Sequence, residues 1–216
     1  MAYINSIQIP PQESAEALAQ AAAAALGNAL GWTVSGTSVW QDEDKSGLRF
    51  LFAYNDGNIF PTVGNSLTSC SARGVGFGVN TYYMLDYYDT GNTIAAGLRQ
   101  AKDSIRLWTL IAKNALGKFK AFTLPYSSGG AQTVYYLSNE LSAPYTFRID
   151  FSTVTAANVS TSIVRYPDFW GECMFEDLYL VLSCPHSAAD KVFYIGGKFY
   201  RYVGDSGTNG FAIPVK

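Results

Sequence analysis

Residues 11–30 constrain the fold more than any other stretch, because they form one long helical segment ahead of a chain that reads, from Trp32 onward, as short strands and turns. Pro10 and Pro11 stop a preceding strand and suit a first helical turn. Glu13 and Glu16 favour the positive helix N-terminus, and the alanine-rich run from Ala15 to Leu26 is strongly helix-forming. Gly27 or Gly31 ends it. Leu18, Ala22, Ala25 and Ala29, with Leu26 and Leu30 beside them, give a narrow apolar stripe whose small alanines permit close approach to a sheet. Glu13, Glu16, Gln20 and Asn28 interrupt the segment, and alanine is only weakly apolar, so it does not read as a membrane span. A helix packed on a sheet is the first reading, and an interhelical contact in an oligomer the second.

The remainder predicts a mainly β fold: an antiparallel sandwich or open barrel of about ten strands with one N-terminal helix. Nothing resembling a linker divides the 216 residues, so one β-rich domain is expected over residues 1–216, with an N-terminal segment 1–10 and helix 11–30. A hydrophobic share of 48% is ample for a core. Charged residues make up 15%, well under the about 25% of an average soluble protein, so something other than charge covers the surface. With 15 Tyr, 13 Phe and 4 Trp, that surface is expected to carry neutral polar groups and aromatics, as strand faces and subunit interfaces do. A formal net charge of −2 and scattered basic residues give no footprint for nucleic acid. The N-terminus lacks a basic region followed by an apolar core, which points to synthesis in a cytoplasm and to no membrane insertion. Cys70, Cys173 and Cys184 fit no zinc or redox spacing and are expected as buried thiols.

Along the chain, residues 32–40 predict a strand or a tight strand pair, followed by a tip over residues 41–47 and a partner strand over 48–54. Asn55-Asp56-Gly57-Asn58 closes it as a turn. Residues 59–71, with Pro61 and Gly64, read as an exposed loop that reaches a partner. Residues 81–88 and 105–113 are apolar or aromatic on both faces, as central strands covered on both sides would be. Strands are further expected over 118–124, 131–137, 145–151, 178–184 and 211–215. A hairpin over 192–203 turns at Gly196-Gly197.

The chemistry-bearing groups read mostly as structure. Asp42-Glu43-Asp44-Lys45-Ser46-Gly47 matches the first half of a calcium loop, but the twelfth position is Ala53, so a solvated hairpin tip is the better reading. Gly74, Gly76 and Gly78 lack the strand-then-helix setting of a phosphate loop and suit a bulge or a crossing aromatic. Cys70, Cys173 or Cys184 could meet His186, the sole histidine, only after folding, and nothing in the sequence brings them together. Asp86, Asp89, Asp150, Asp168, Glu172, Glu176 and Asp177 could supply a glycosidase pair only if two faced each other across a groove, and turn or edge carboxylates are the plainer reading. No catalytic residue, cofactor or metal ligand is assigned, and the chain is expected not to be an enzyme. Phe169, Trp170, Tyr87 and Tyr88 are the candidate contacts to a partner or glycan, from a wider set that includes Tyr82, Tyr83, Tyr135 and Tyr136.

Several stretches together carry a resemblance: Leu30-Gly31-Trp32-Thr33-Val34 leading from helix to strand, residues 108–122 with their Asn-x-x-Gly turn, residues 178–182, residues 193–202, and Phe211-Ala212-Ile213-Pro214-Val215. They resemble structural proteins of tailed bacteriophages and prophages. The likeness is one of patterning over much of residues 30–215 and transfers no functional residue. It implies a non-enzymatic virion component of neck, tail or baseplate, repeated about a symmetry axis. Its partners would be itself and other virion proteins, docked through strand edges, residues 1–10 and the 59–71 loop. The second expectation is a carbohydrate-binding β-sandwich module that recognises a host-surface glycan.

Overall fold

The structure is a computed structural model and describes residues 4–45, 49–55, 57–63, 75–103, 107, 109–113, 119–123, 131–137, 145–150, 162–167, 174–182, 192–195, 197–204 and 209–215. The protein is mainly β. Strand β1 (Asn5–Ile9) precedes helix α1 (Ala15–Leu30). Strands β2 (Thr33–Ser35), β3 (Ser38–Trp40), β4 (Arg49–Asn55), β5 (Asn58–Val63) and β6 (Val75–Gly76) follow as a meander. A second meander comprises β7 (Tyr83–Asp89), β8 (Thr93–Gln100), β9 (Thr109–Lys113), β10 (Phe119–Thr123), β11 (Ala131–Leu137) and β12 (Tyr145–Asp150). The chain ends with β13 (Ser162–Pro167), β14 (Met174–Leu182), β15 (Val192–Ile195), β16 (Lys198–Gly204) and β17 (Asn209–Val215).

These strands form three sheets, ordered β1-β7-β8-β9-β10-β11-β12, β2-β3-β4-β5-β6 and β13-β14-β17-β16-β15. Every ladder is antiparallel.

Helix α1 starts later than the two prolines suggest. Ser14 is its N-cap, in extended conformation, and its Oγ accepts the Ala17 amide at 3.1 Å, so one orphan donor of the first turn is satisfied. Gly31 ends it in the left-handed region at φ 70°, and the Trp32 amide returns to the Gly27 carbonyl at 3.0 Å. The buried face, Ala15, Leu18, Ala19, Ala22, Ala23, Leu26 and Gly27, is displaced from the predicted stripe: Leu18, Ala22 and Leu26 belong to it, whereas Ala25, Ala29 and Leu30 are half-buried. Gly27 is buried where the chain returns along the helix: a Cβ there would lie 2.1 Å from Val34 Cγ2.

This face packs on Val39, Phe50, Phe52 and Ile59 of the β2–β6 sheet and on Ile9, Tyr83, Leu85, Ile94, Ala96, Leu98 and Ile111 of the seven-stranded sheet. Alternation then sends Asp86, Tyr88, Ala95 and Leu110 to the opposite face, where they are also buried. The C-terminal sheet meets that face, and the Tyr88 hydroxyl donates to the Pro214 carbonyl of β17. The seven-stranded sheet is thus the middle layer, and β7, β8 and β9 are its doubly covered strands.

Three sequence expectations change. Residues 58–63 form β5, with Ile59 fully buried, instead of opening a loop. Pro61 is tolerated because, among the described residues, β6 pairs with Asn58 and Ile59 and no strand pairs with β5 on that side at the proline; residues 64–71 lie outside the described ones. The N-terminal segment pairs with β7 of its own chain, Ser6 opposite Asp86 and Ile9 opposite Tyr83. The described residues form seventeen strands where about ten were expected, chiefly because β1, β5, β8 and β13 carry weak strand signals.

Candidate functional site

Two clusters of polar groups stand out among the described residues, and the chemistry of both is architectural. Asp86 and Arg99 point to the same face of β7 and β8, where Gly97 lies directly opposite Asp86 and supplies no competing side chain. Arg99 Nε donates to Asp86 Oδ2 at 2.6 Å and Nη2 to Oδ1 at 3.3 Å, while Ser6 Oγ of β1 donates to Oδ1 at 2.5 Å. Arg99 Nη1 reaches on to the carbonyls of Ala101 and Asp103, at 3.2 and 2.6 Å. Asp86 has no exposed surface, and both its oxygens are engaged. The pair therefore ties β1, β7, β8 and the turn after β8 together and leaves no oxygen open toward solvent.

Tyr83 organises the second cluster. Its hydroxyl donates to the Gly76 carbonyl at 2.7 Å and accepts the Gly78 amide at 2.8 Å, closing the glycine-rich turn ahead of β7. A Cβ at Gly78 would lie 2.5 Å from Thr81 Oγ1, so a side chain there would displace that hydroxyl. Burial pushes the Tyr83 phenol above its ordinary value of 10.0, against the smaller opposing effect of the Gly78 and Thr81 hydrogen bonds. A phenol whose folded pKa is raised stabilises the fold fully below its unfolded pKa, near 10, and that contribution falls as pH rises toward the folded value. Tyr83→Phe should cost about 1 kcal/mol at neutral pH, since water reaches the freed turn groups. It should also shrink the loss of stability above about pH 10, measured by urea unfolding at a series of alkaline pH values.

Of the four candidate contact residues, Tyr87 is half-buried against the helix side of β7. Tyr88 is 1% exposed and bonded to Pro214, so it belongs to the core and not to a contact surface. Its burial follows from the C-terminal sheet lying over that face. Phe169 and Trp170 lie outside the described residues, as do His186, Cys70, Cys173 and Cys184. Asp89 is a turn carboxylate that accepts the Gly91 amide at 2.7 Å. Among the described residues, no group of three or more His, Cys, Asp or Glu side chains could hold a metal ion. No described helix is long and apolar enough to cross a membrane.

What remains is a surface. Strands β15 and β16 form a hairpin in which Ile195 pairs with Lys198, Tyr194 with Phe199, Phe193 with Tyr200 and Val192 with Arg201. Gly197 sits in the intervening turn at φ 85°, as a two-residue hairpin requires. Alternation places Tyr200 inward, at 2% exposure, and turns Val192, Tyr194 and Phe199 outward at 53%, 67% and 56%. The rings of Tyr194 and Phe199 lie 5.0 Å apart and tilted by 52°. Strand β15 is the edge of its sheet, paired only with β16 among the described residues.

No family model, curated protein or solved structure matches the chain.

Among the described residues, the uncharged edge strand β15, with Tyr194 beside Phe199 of β16, stands out as an unprotected sheet edge. Natural sheets usually blunt such an edge with lysine, proline or a bulge, and Val192-Phe193-Tyr194-Ile195 has none of these. The sequence singled out other aromatics because both faces of this hairpin are aromatic. Phe193 and Tyr200 share one face and Tyr194 and Phe199 the other, so pattern alone does not say which is outside.

Proposed function

We propose that the protein is a non-enzymatic assembly component that acts by self-association and by docking onto other proteins of a larger particle. The resemblance makes that particle a tailed-phage virion, at the neck, tail or baseplate. The observation that carries the reading is the outward Val192, Tyr194 and Phe199 cluster on an edge hairpin. A large aromatic or aliphatic side chain moved from water into an interface contributes about 1.5 to 3 kcal/mol before ordering costs. Two rigid rings already in contact lose little side-chain freedom on docking, which suits them as anchors. A surface poor in charge lowers the desolvation penalty around them.

Light scattering across a dilution series tests this. A discrete oligomer that persists on dilution is expected. Tyr194→Ser with Phe199→Ser should dissociate it, while the urea midpoint of the subunit shifts by no more than about 1 kcal/mol equivalent, the worth of one cross-strand pair. A chain that stays monomeric at all concentrations would defeat the self-association reading. The exposed Tyr194 and Phe199 pair also supports the second reading, a carbohydrate-binding sandwich, since tilted rings can stack on a sugar face. A monomer whose tyrosine fluorescence responds to glycans, and loses that response in the same double variant, would favour it.

A further inference from the structure

We infer that the partner at this surface is the β15 strand of a second copy, added antiparallel across a two-fold axis so that two five-stranded sheets become one. The inference rests on the self-association reading above and fixes its register. In a hairpin with two turn residues, the residues that flank the turn exchange both main-chain bonds, and such pairs then alternate with non-bonded ones. Ile195 and Phe193 therefore direct their N–H and C=O groups toward Lys198 and Tyr200 of β16. Val192 and Tyr194 direct theirs outward, along the edge with which no other described strand pairs. Those outward groups need a strand whose own outward groups have the same spacing, and β15 itself supplies it.

Two conditions select the register. A two-fold axis perpendicular to the sheet keeps each face on its own side, so opposing residues must come from the same face. All the outward main-chain groups must also be used. Centring the axis on Phe193 meets both. Val192 then lies opposite Tyr194 of the second copy and exchanges both bonds with it, and the symmetric pair does the same. Phe193 faces its own counterpart as a non-bonded pair. Centring on Val192 or Tyr194 leaves outward groups of the strand without counterparts, and any shift of a single residue sends Tyr194 to the inner face. In the selected register, the Val192, Tyr194 and Phe199 clusters of both copies join into one apolar strip across the seam, with Tyr194 against Val192 at its centre. The same side chains that are exposed in the single chain thus cover each other, which is the condition for an isologous contact.

Cysteine cross-linking tests the register directly. A non-bonded antiparallel pair holds its Cα atoms about 4.5 Å apart, within the disulfide range. Phe193→Cys is expected to give a disulfide-linked dimer on mild oxidation, with the linked peptide mapped by mass spectrometry in the native cysteine background. Phe193 is partly buried, so a second test uses the exposed positions. Val192→Cys and Tyr194→Cys should each remain unlinked alone and should link when mixed. In addition, Tyr194→Pro removes an outward amide, leaves the β15–β16 bonds intact and should shift the scattering mass to that of the monomer. Linking of Val192→Cys or Tyr194→Cys alone, as fast as in the mixture, would overturn the register. A stable oligomer that forms no link at any of these positions would overturn the inference and leave self-association standing through another surface. A monomer with no links would overturn both.

Discussion

Replacing Asp86 with alanine is expected to lower the unfolding free energy by about 3 to 5 kcal/mol, the usual cost of removing one partner from a buried ion pair. The size follows from what is left behind. Arg99 has a side chain only 10% exposed, on a face covered by another sheet, and its Nε and Nη2 donors would lose their acceptors. Its remaining contacts, to the carbonyls of Ala101 and Asp103, satisfy Nη1 without neutralising the charge. The same substitution frees Ser6 and with it a side-chain tie between β1 and β7 on that face. Ser6→Ala alone should cost about 1 kcal/mol or less, because Ser6 is exposed and water can take its place. Asp86→Leu with Arg99→Met should recover most of the loss, since apolar residues of similar volume often replace a buried pair without penalty. Urea unfolding followed by tryptophan fluorescence measures all of these. A cost for Asp86→Ala below about 1 kcal/mol would mean that the Arg99 head group reaches water, contrary to its burial here.

Why this pair was not legible in sequence is instructive about the whole middle layer. Thr93-Ile94-Ala95-Ala96-Gly97-Leu98-Arg99 carries little β propensity, because alanine and glycine are depleted in strands. Yet every one of these residues is buried. The small side chains are what the site requires: Ala95 lies opposite Tyr88, Ala96 faces the helix, and Gly97 makes room for the Asp86 and Arg99 contact. Packing between two layers overrides propensity, and a single sequence does not show which layers meet. β1 and β5 were missed for related reasons, one resembling a tail before two prolines and the other containing Pro61.

Where local rules govern, the sequence reading and the structure agree closely. The helix end at Gly31 follows from the left-handed backbone that glycine favours. The turn at Asn55 forms because its Oδ1 accepts the amides of Gly57 and Asn58, at 3.2 and 3.0 Å. The β15–β16 hairpin has the register set by its two-residue connection. The candidate surface was half legible on the same logic: the hairpin was visible, but which aromatic face points outward depends on where the rest of the C-terminal sheet lies. Tyr88 shows the converse, an aromatic at a strand end whose exposure is decided by β17, a segment more than a hundred positions away.

The close fit of helix and sheet leads to the other large effect. Phe52→Ala should cost about 3 to 5 kcal/mol, the range for deleting a buried aromatic. Phe52 has no exposed surface and belongs, with Phe50 and Ile59, to the cluster that receives the helix. The helix presents Ala15, Ala19, Ala22 and Ala23 to that cluster beside its two fully buried leucines, Leu18 and Leu26. Alanine has no rotamer with which to fill a hole, so collapse around the missing ring would require the helix itself to move. The helix is restrained against that movement by Gly27, which sits against Val34, and by the Ser14 and Gly31 caps. The cavity should therefore persist, placing the cost toward the upper part of the range, and urea unfolding would read it directly. A cost under about 1.5 kcal/mol would show that the helix slides inward to refill the space; alanine would then be serving as a lubricated face, and the helix would not be the fixed wedge on which both sheets are set.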